Sequence, residues 1–111
     1  MRKIESQMIQ AIQNQKSWQS GNTAVFTQQD GLSTVYLHGN KIAEIGDDYM
    51  TIFDGGWQTN TTKSRLNALC TEFCIAGEGV FQKNFDWFIS KFDTTTNSMT
   101  NILFTNGFVF S

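Results

Sequence analysis

Hydrophobic and polar positions alternate with two different periods along this chain, and the switches between them mark out its elements. In TNTTKSRLNALCTEFCIAG (Thr59–Gly77), Leu66, Leu69, Cys70, Phe73 and Cys74 recur at i, i+3, i+4, i+7 and i+8, the spacing of one apolar helix face. Thr59, Asn60 and Thr61 offer oxygen acceptors to the unpaired amides of its first turn, and Gly77 offers a left-handed stop. These signals predict a central helix over about residues 60–76. A second stripe, Ile4, Met8, Ala11, Ile12 and Trp18, predicts an N-terminal helix over about residues 2–19, with Ile9 off the stripe and Gly21 as the stop.

From Asn22 the period becomes two. Thr23–Gln28, Leu32–His38, Lys41–Ile45 and Tyr49–Phe53 read as successive strands, parted by Gln29-Asp30-Gly31, Gly39-Asn40 and Gly46-Asp47-Asp48. A two-residue Gly39-Asn40 loop would set Leu37 opposite Ile42 and Tyr36 opposite Ala43. Asp54-Gly55-Gly56 breaks this meander before the central helix. Beyond the helix, Val80–Lys83 and Asp86–Phe92 predict a hairpin turning near Asn84-Phe85. The polar run Asp93–Asn101 predicts a mobile loop, and Ile102–Thr105 with Phe108–Phe110 predicts a hairpin closed by Asn106-Gly107, the preferred type I′ pair. Connections this short imply antiparallel pairing. The expected fold is therefore α+β: one domain over residues 1–111, a mostly antiparallel meander with hairpins packed on the central helix, and an N-terminal helix.

Composition adds limits. The chain is long enough for a core without staples, and aromatics at 14% argue against disorder. Charged residues make up 16%, and Asn, Gln, Thr and Ser take their place on the surface. A net charge of −2 and a pI near 5.1 disfavour a sequence-independent coat for nucleic acid, which relies on many phosphate neutralisations. No run is apolar enough for a signal peptide or a membrane span, and the two cysteines lie four residues apart in one predicted helix. A reducing, cytoplasmic-type compartment is the expectation.

Chemistry-bearing residues are few. In the first turn of the central helix, Thr61, Thr62, Lys63, Ser64 and Arg65 combine hydroxyls, free amides and two cations, a set able to hold a phosphate or carboxylate. Cations there oppose the helix dipole, a local rule broken in a way that often marks function. Against this, Lys63 and Arg65 point about 160° apart at 100° per residue, and ordinary capping and ion pairing explain the turn. Cys70 and Cys74 lack zinc-knuckle spacing and a second pair of ligands, so they read as core hydrophobes, and no metal or other cofactor is expected. His38, the single histidine, reads as sheet-edge surface. No paired carboxylates, triad or phosphate loop can be assembled, so no catalytic residue is assigned. The segment Phe81–Phe92 carries Phe81, Phe85, Trp87, Phe88 and Phe92, with alternation placing Phe85, Trp87 and Ile89 on one side and Phe88 on the other. Aromatics on both faces mean that one is covered or awaits a partner, so Phe81, Phe85, Trp87 and Phe88 are the interface residues expected.

Three segments, VYLHGNKIAEI (Val35–Ile45), GWQTNTTKSRLNAL (Gly56–Leu69) and GVFQKNFDWF (Gly79–Phe88), together resemble a group of small proteins of tailed phages that infect marine bacteria. The resemblance covers roughly residues 20–111 and brings no known activity, so no residue role is carried over. It implies a small product made inside an infected cell, with a host protein among the partners such proteins engage. The function expected first is a non-catalytic interaction module that forms a homo-oligomer. A small nucleic-acid or phosphate binder using the first turn of the central helix is the alternative, and an enzyme comes third for want of a constellation.

Overall fold

The computed structural model describes residues 1–111 as two helices and two antiparallel sheets. Helix α1 spans Lys3–Gln13 and helix α2 Asn60–Phe73. The strands are β1 (Trp18–Ser20), β2 (Thr23–Thr27), β3 (Ser33–Leu37), β4 (Asn40–Ile45), β5 (Met50–Ile52), β6 (Gly79–Lys83), β7 (Asp86–Asp93), β8 (Ser98–Leu103) and β9 (Phe108–Phe110). The large sheet has the order β1-β2-β3-β4-β5-β9, and the small sheet β6-β7-β8. The α+β class with an N-terminal and a central helix is thus observed. The chain lays down a five-stranded meander, crosses it with α2, builds the small sheet, and returns as β9 to pair with β5.

Burial follows the register. Val25, Val35, Ala43 and Ile52 lie in one cross-strand row, and with Leu37, Ile45, Met50 and Phe110 they form the inner face of the large sheet. The opposite row, Phe26, Thr34, Glu44, Thr51 and Val109, mixes polar and apolar groups as a half-solvated antiparallel sheet does. Helix α2 brings Leu66, Leu69 and Cys70 to this core, each no more than 1% exposed, and the small sheet adds Val80, Trp87 and Ile89 from its inward side.

Several elements depart from the pattern-based expectation. Helix α1 ends at Gln13: Gln15 takes a left-handed φ of 53°, and Trp18 belongs to β1, opposite Val25. Gly21 is therefore a hairpin residue between Ser20 and Thr23 and does not stop a helix. Ile9 is buried at 6% exposure, because α1 is held by β2 on one side and α2 on another, so a wider face than a single stripe is covered. At the other end, α2 stops at Phe73, and Gly77 (φ 94°) closes a turn in which the Glu78 amide donates to the Ile75 carbonyl.

The β3–β4 turn is His38-Gly39, both at positive φ, so Leu37 faces Asn40 and Tyr36 faces Lys41. A bulge between Val35 and Tyr36 absorbs Ile42 as the extra residue, which keeps Ala43 opposite Val35. Asp93–Asn101 is no loop. Its carboxylate end turns at once: the Thr95 hydroxyl and amide donate to Asp93, holding that carboxyl below its usual range, Asn97 takes φ 56°, and β8 starts at Ser98.

The Asn106-Gly107 pair does not close a hairpin either. Only Gly107 has positive φ, whereas a type I′ turn needs it at both positions, and the turn passes the chain from β8 in the small sheet to β9 in the large one. Two bonds set this crossing. The Asn106 Oδ1 accepts from the Asp54 amide at 2.8 Å, and the Gly107 amide donates to the Ile52 carbonyl at 2.8 Å.

One side chain joins α2 to the small sheet. The Asn67 amide group accepts from the Val80 N–H and donates to the Val80 carbonyl, both at 2.8 Å, so it stands in for a neighbouring strand along β6. Gly79 permits the approach, since a Cβ there would lie 2.6 Å from Asn67 Oδ1. Asn67→Ala should cost about 2–4 kcal/mol by stranding both Val80 groups. Gly79→Ala should also destabilise by pushing the clamp open, and in denaturant titrations the double variant should lose clearly less than the sum of the two, the mark of one shared contact.

Candidate functional site

The first turn of α2 is built as a capped helix start. Thr59 Oγ1 accepts from the Thr62 amide at 3.1 Å, the Thr59 carbonyl accepts from the Lys63 amide at 3.0 Å, and the buried Thr62 hydroxyl donates to the Trp57 carbonyl. The residues expected to hold an anion do not converge on one open spot. Thr61 borders a cleft of about 290 Å³ shared with His38, Asn40, Asp54 and Trp57, and Lys63 is half-buried. Ser64 and Arg65 face the other way, into the protein.

There they hold a carboxylate, and it is the chain's own. Glu5 of α1 is 2% exposed and Arg65 3%. Arg65 Nη1 and the Ser64 hydroxyl donate to the same oxygen of Glu5, at 2.8 and 2.6 Å. Arg65 Nε donates to Thr23 Oγ1 at 3.0 Å and Nη2 to Asn22 Oδ1 at 3.3 Å, and the Arg2 amide donates to Glu5 at 3.3 Å. Burial pushes the Glu5 carboxyl up, but the Ser64 hydroxyl, the Arg65 guanidinium and the Arg2 amide together outweigh it and keep it below the usual carboxylate range. Sequence reasoning missed Glu5, although it sits three, four and seven residues before Met8, Ile9 and Ile12, an acid inside an apolar stripe.

Cys70 and Cys74 are both free. Cys70 is 1% exposed, and its hydrogen bond with Cys74, together with burial, drives its thiol far above the ordinary range. Cys74 is half-buried on the wall of a cleft of about 370 Å³ between α2 and the β4–β5 turn, beside Tyr49, Phe73 and Phe110. No third metal-ligating side chain joins the pair. Glu78, a second carboxylate missed from the sequence, ties the end of α2 to β7: it accepts from the Ile75 amide at 3.1 Å and the Phe92 amide at 2.9 Å, and pairs with Lys91 at 2.9 Å. His38 is exposed in its turn.

The aromatic segment separates into two faces. Trp87 and Ile89 turn inward, at 3% and 0% exposure, with Trp87 meeting Phe104 edge-to-face at 5.5 Å. Phe85 does not join them, because it occupies the Asn84-Phe85 turn at φ 69° and is 94% exposed. Phe81 and Phe88 lie on the outer face as a cross-strand pair, rings stacked at 5.6 Å and 21°. Leu103, 59% exposed, sits opposite Phe88, and Met99, 41% exposed, opposite Phe92. Of the interface residues expected, Phe85 is exposed, Phe81 and Phe88 lie half-buried on the outer face, and Trp87 is core.

Over residues 1–111 the chain matches the family described as Kyanoviridae Gp96 protein, and it belongs to that family, of tailed phages infecting marine cyanobacteria. The match includes α1, beyond the span of the resemblance read from the sequence. Neither a curated protein nor a solved structure matches the chain.

Three outcomes are expected. Glu5→Gln should cost about 3–5 kcal/mol by leaving the Arg65 charge unpaired, and Glu5→Leu with Arg65→Met should recover most of that loss. Because the folded-state Glu5 value is depressed, its contribution is full above the unfolded value near ~4.3 and is lost as pH falls through the folded one. Thermal melts should therefore fall in midpoint as the pH is lowered below the unfolded value, and Glu5→Gln should flatten that slope. Alkylation followed by peptide mass spectrometry should label Cys74 first and Cys70 only on unfolding.

Proposed function

We propose that this member of the Kyanoviridae Gp96 family is a non-catalytic interaction protein that self-associates, and that the outer face of the small sheet is its contact surface. The observation that carries this reading is the run Phe81, Phe88 and Leu103 across three neighbouring strands, with Phe85 at the adjoining tip, all turned away from the core. Backbone pairing across β6, β7 and β8 holds these side chains, so little ordering is needed on contact. Aromatics and Leu103 interspersed with polar neighbours such as Lys83, Asp86 and Ser90 match the mixed composition of a protein interface. The phosphate-binding alternative loses its guanidinium, since Arg65 is spent on Glu5.

Static light scattering on the full chain tests this. The expected mass exceeds the 12.6 kDa monomer, persists at about 1 M salt because the contact is apolar, and falls in Phe88→Ser. A strict monomer at every concentration would sink the proposal.

A further inference from the structure

Four strand edges end the two sheets, and three of them are blunted. β1 and β9 are three residues long, and β6 is occupied at Val80 by Asn67. β8 is different. It runs for six residues, SMTNIL, pairs with β7 in unbroken register, and has no bulge, proline or charged side chain. Residues 94–111 contain no Asp, Glu, Lys or Arg at all. All of β8 but Thr100 is exposed. Natural sheets rarely leave such an edge bare, because its unpaired N–H and C=O groups template another strand.

The direction of those groups follows from one bond. The Phe104 amide donates to the Trp87 carbonyl at 2.9 Å, in line with the Phe88–Leu103 register. In an antiparallel ladder the amide and carbonyl of one residue point the same way, and successive residues alternate. Ser98, Thr100 and Ile102 therefore turn their backbone groups to β7, and Met99, Asn101 and Leu103 turn theirs outward. The Leu103 carbonyl also takes a 3.3 Å bond from Thr105 Oγ1, which leaves its second lone pair free.

Resting on the self-association reading above, we infer that copies also join edge to edge, β8 pairing with its own β8, antiparallel about a two-fold axis normal to the sheet, a contact beside the outer aromatic face that leaves that face free. That axis keeps both outer faces on one side, so only residues of the same parity can oppose each other. One register satisfies every outward group: Met99 against Leu103 of the second copy, Asn101 against its own symmetry mate, and Leu103 against Met99. A shift of two residues either way leaves Met99 or Leu103 without a strand partner. The paired thioether and isobutyl groups close the seam on the outer face, no charge opposes a like charge, and the two outer aromatic rows become one across a six-stranded sheet. The edge thus selects a copy of itself, by symmetry and by the absence of charge.

Asn101 lies on the axis, which makes a charge test decisive. Asn101→Lys and Asn101→Asp each place like charges directly opposite at about 5.5 Å between Cα atoms. Each variant alone should dimerise at least about tenfold more weakly than the parent chain in sedimentation equilibrium, and an equimolar mixture should restore association as a heterodimer. Circular dichroism of each variant checks the fold. On the unaltered chain, amide exchange at Met99, Asn101 and Leu103 should slow as concentration rises while that at Thr100 and Ile102 does not. If the parent chain associates but both variants match it and the three amides stay concentration-independent, the edge pairing is overturned while the aromatic-face reading survives. A parent chain that stays monomeric overturns both. Protection of the same amides only on adding an extended peptide, with no self-association, would make the edge a receptor for a foreign strand and likewise overturn this inference.

Discussion

The ion pair between Glu5 and Arg65 is the constraint on which the arrangement of helices and large sheet depends. It ties α1 to α2 and, through Thr23 and Asn22, ties both to the start of β2. Neither charge could be buried alone, since an uncompensated ion inside a protein costs several kcal/mol, on the order of the whole stability of a domain. The pair adds little net stability beyond what a well-fitted apolar pair would supply. What it supplies is placement: α1 could slide along an apolar face by a turn at modest cost, but only one position brings Glu5 to Arg65 with Ser64 and Thr23 in reach.

Two further polar contacts extend the same logic to the small sheet. Asn67, two residues along α2 from Arg65, pairs with Val80 as a strand would, and Glu78 fastens the segment after α2 to Phe92 and Lys91. Helix α2 is thus held by directional bonds on both sides while Leu66, Leu69 and Cys70 give it non-directional apolar contact below. The structure has no buried side-chain polar atom without a partner, as expected when buried polar groups serve as locators. With the small sheet so fixed, its outer aromatic row and its uncharged β8 edge form a rigid surface.

The local pattern already carried much of this. Both helices, the meander from Thr23 to Phe53, the Asn84-Phe85 turn and the shared face of Trp87 and Ile89 were legible, because each follows from period and turn chemistry within a few residues; which face is core was not. The site was less legible. The first turn of α2 read as capping and ion pairing or as an anion site of five residues, whereas the partner that Ser64 and Arg65 hold is the chain's own Glu5, 60 positions from Arg65 on α1. Glu5, Asn67 and Glu78 were missed as site residues because the distant partner of each, Arg65, Val80 and Phe92, lies outside any local window.

Residue order alone therefore determined which stretches are helical or extended, that their connections demand antiparallel pairing, and that the aromatic segment has two unlike faces. Tertiary structure decided which strand meets which. The Asn106-Gly107 pair shows why: as a dipeptide it prefers a tight hairpin, yet the bonds from Asp54 to Asn106 and from Gly107 to Ile52 hold it between sheets, so β8 stays with β7 and β9 goes to β5. A turn preference is worth a fraction of what a buried strand contributes through its neighbours, so wherever the two disagree the long-range pairing prevails.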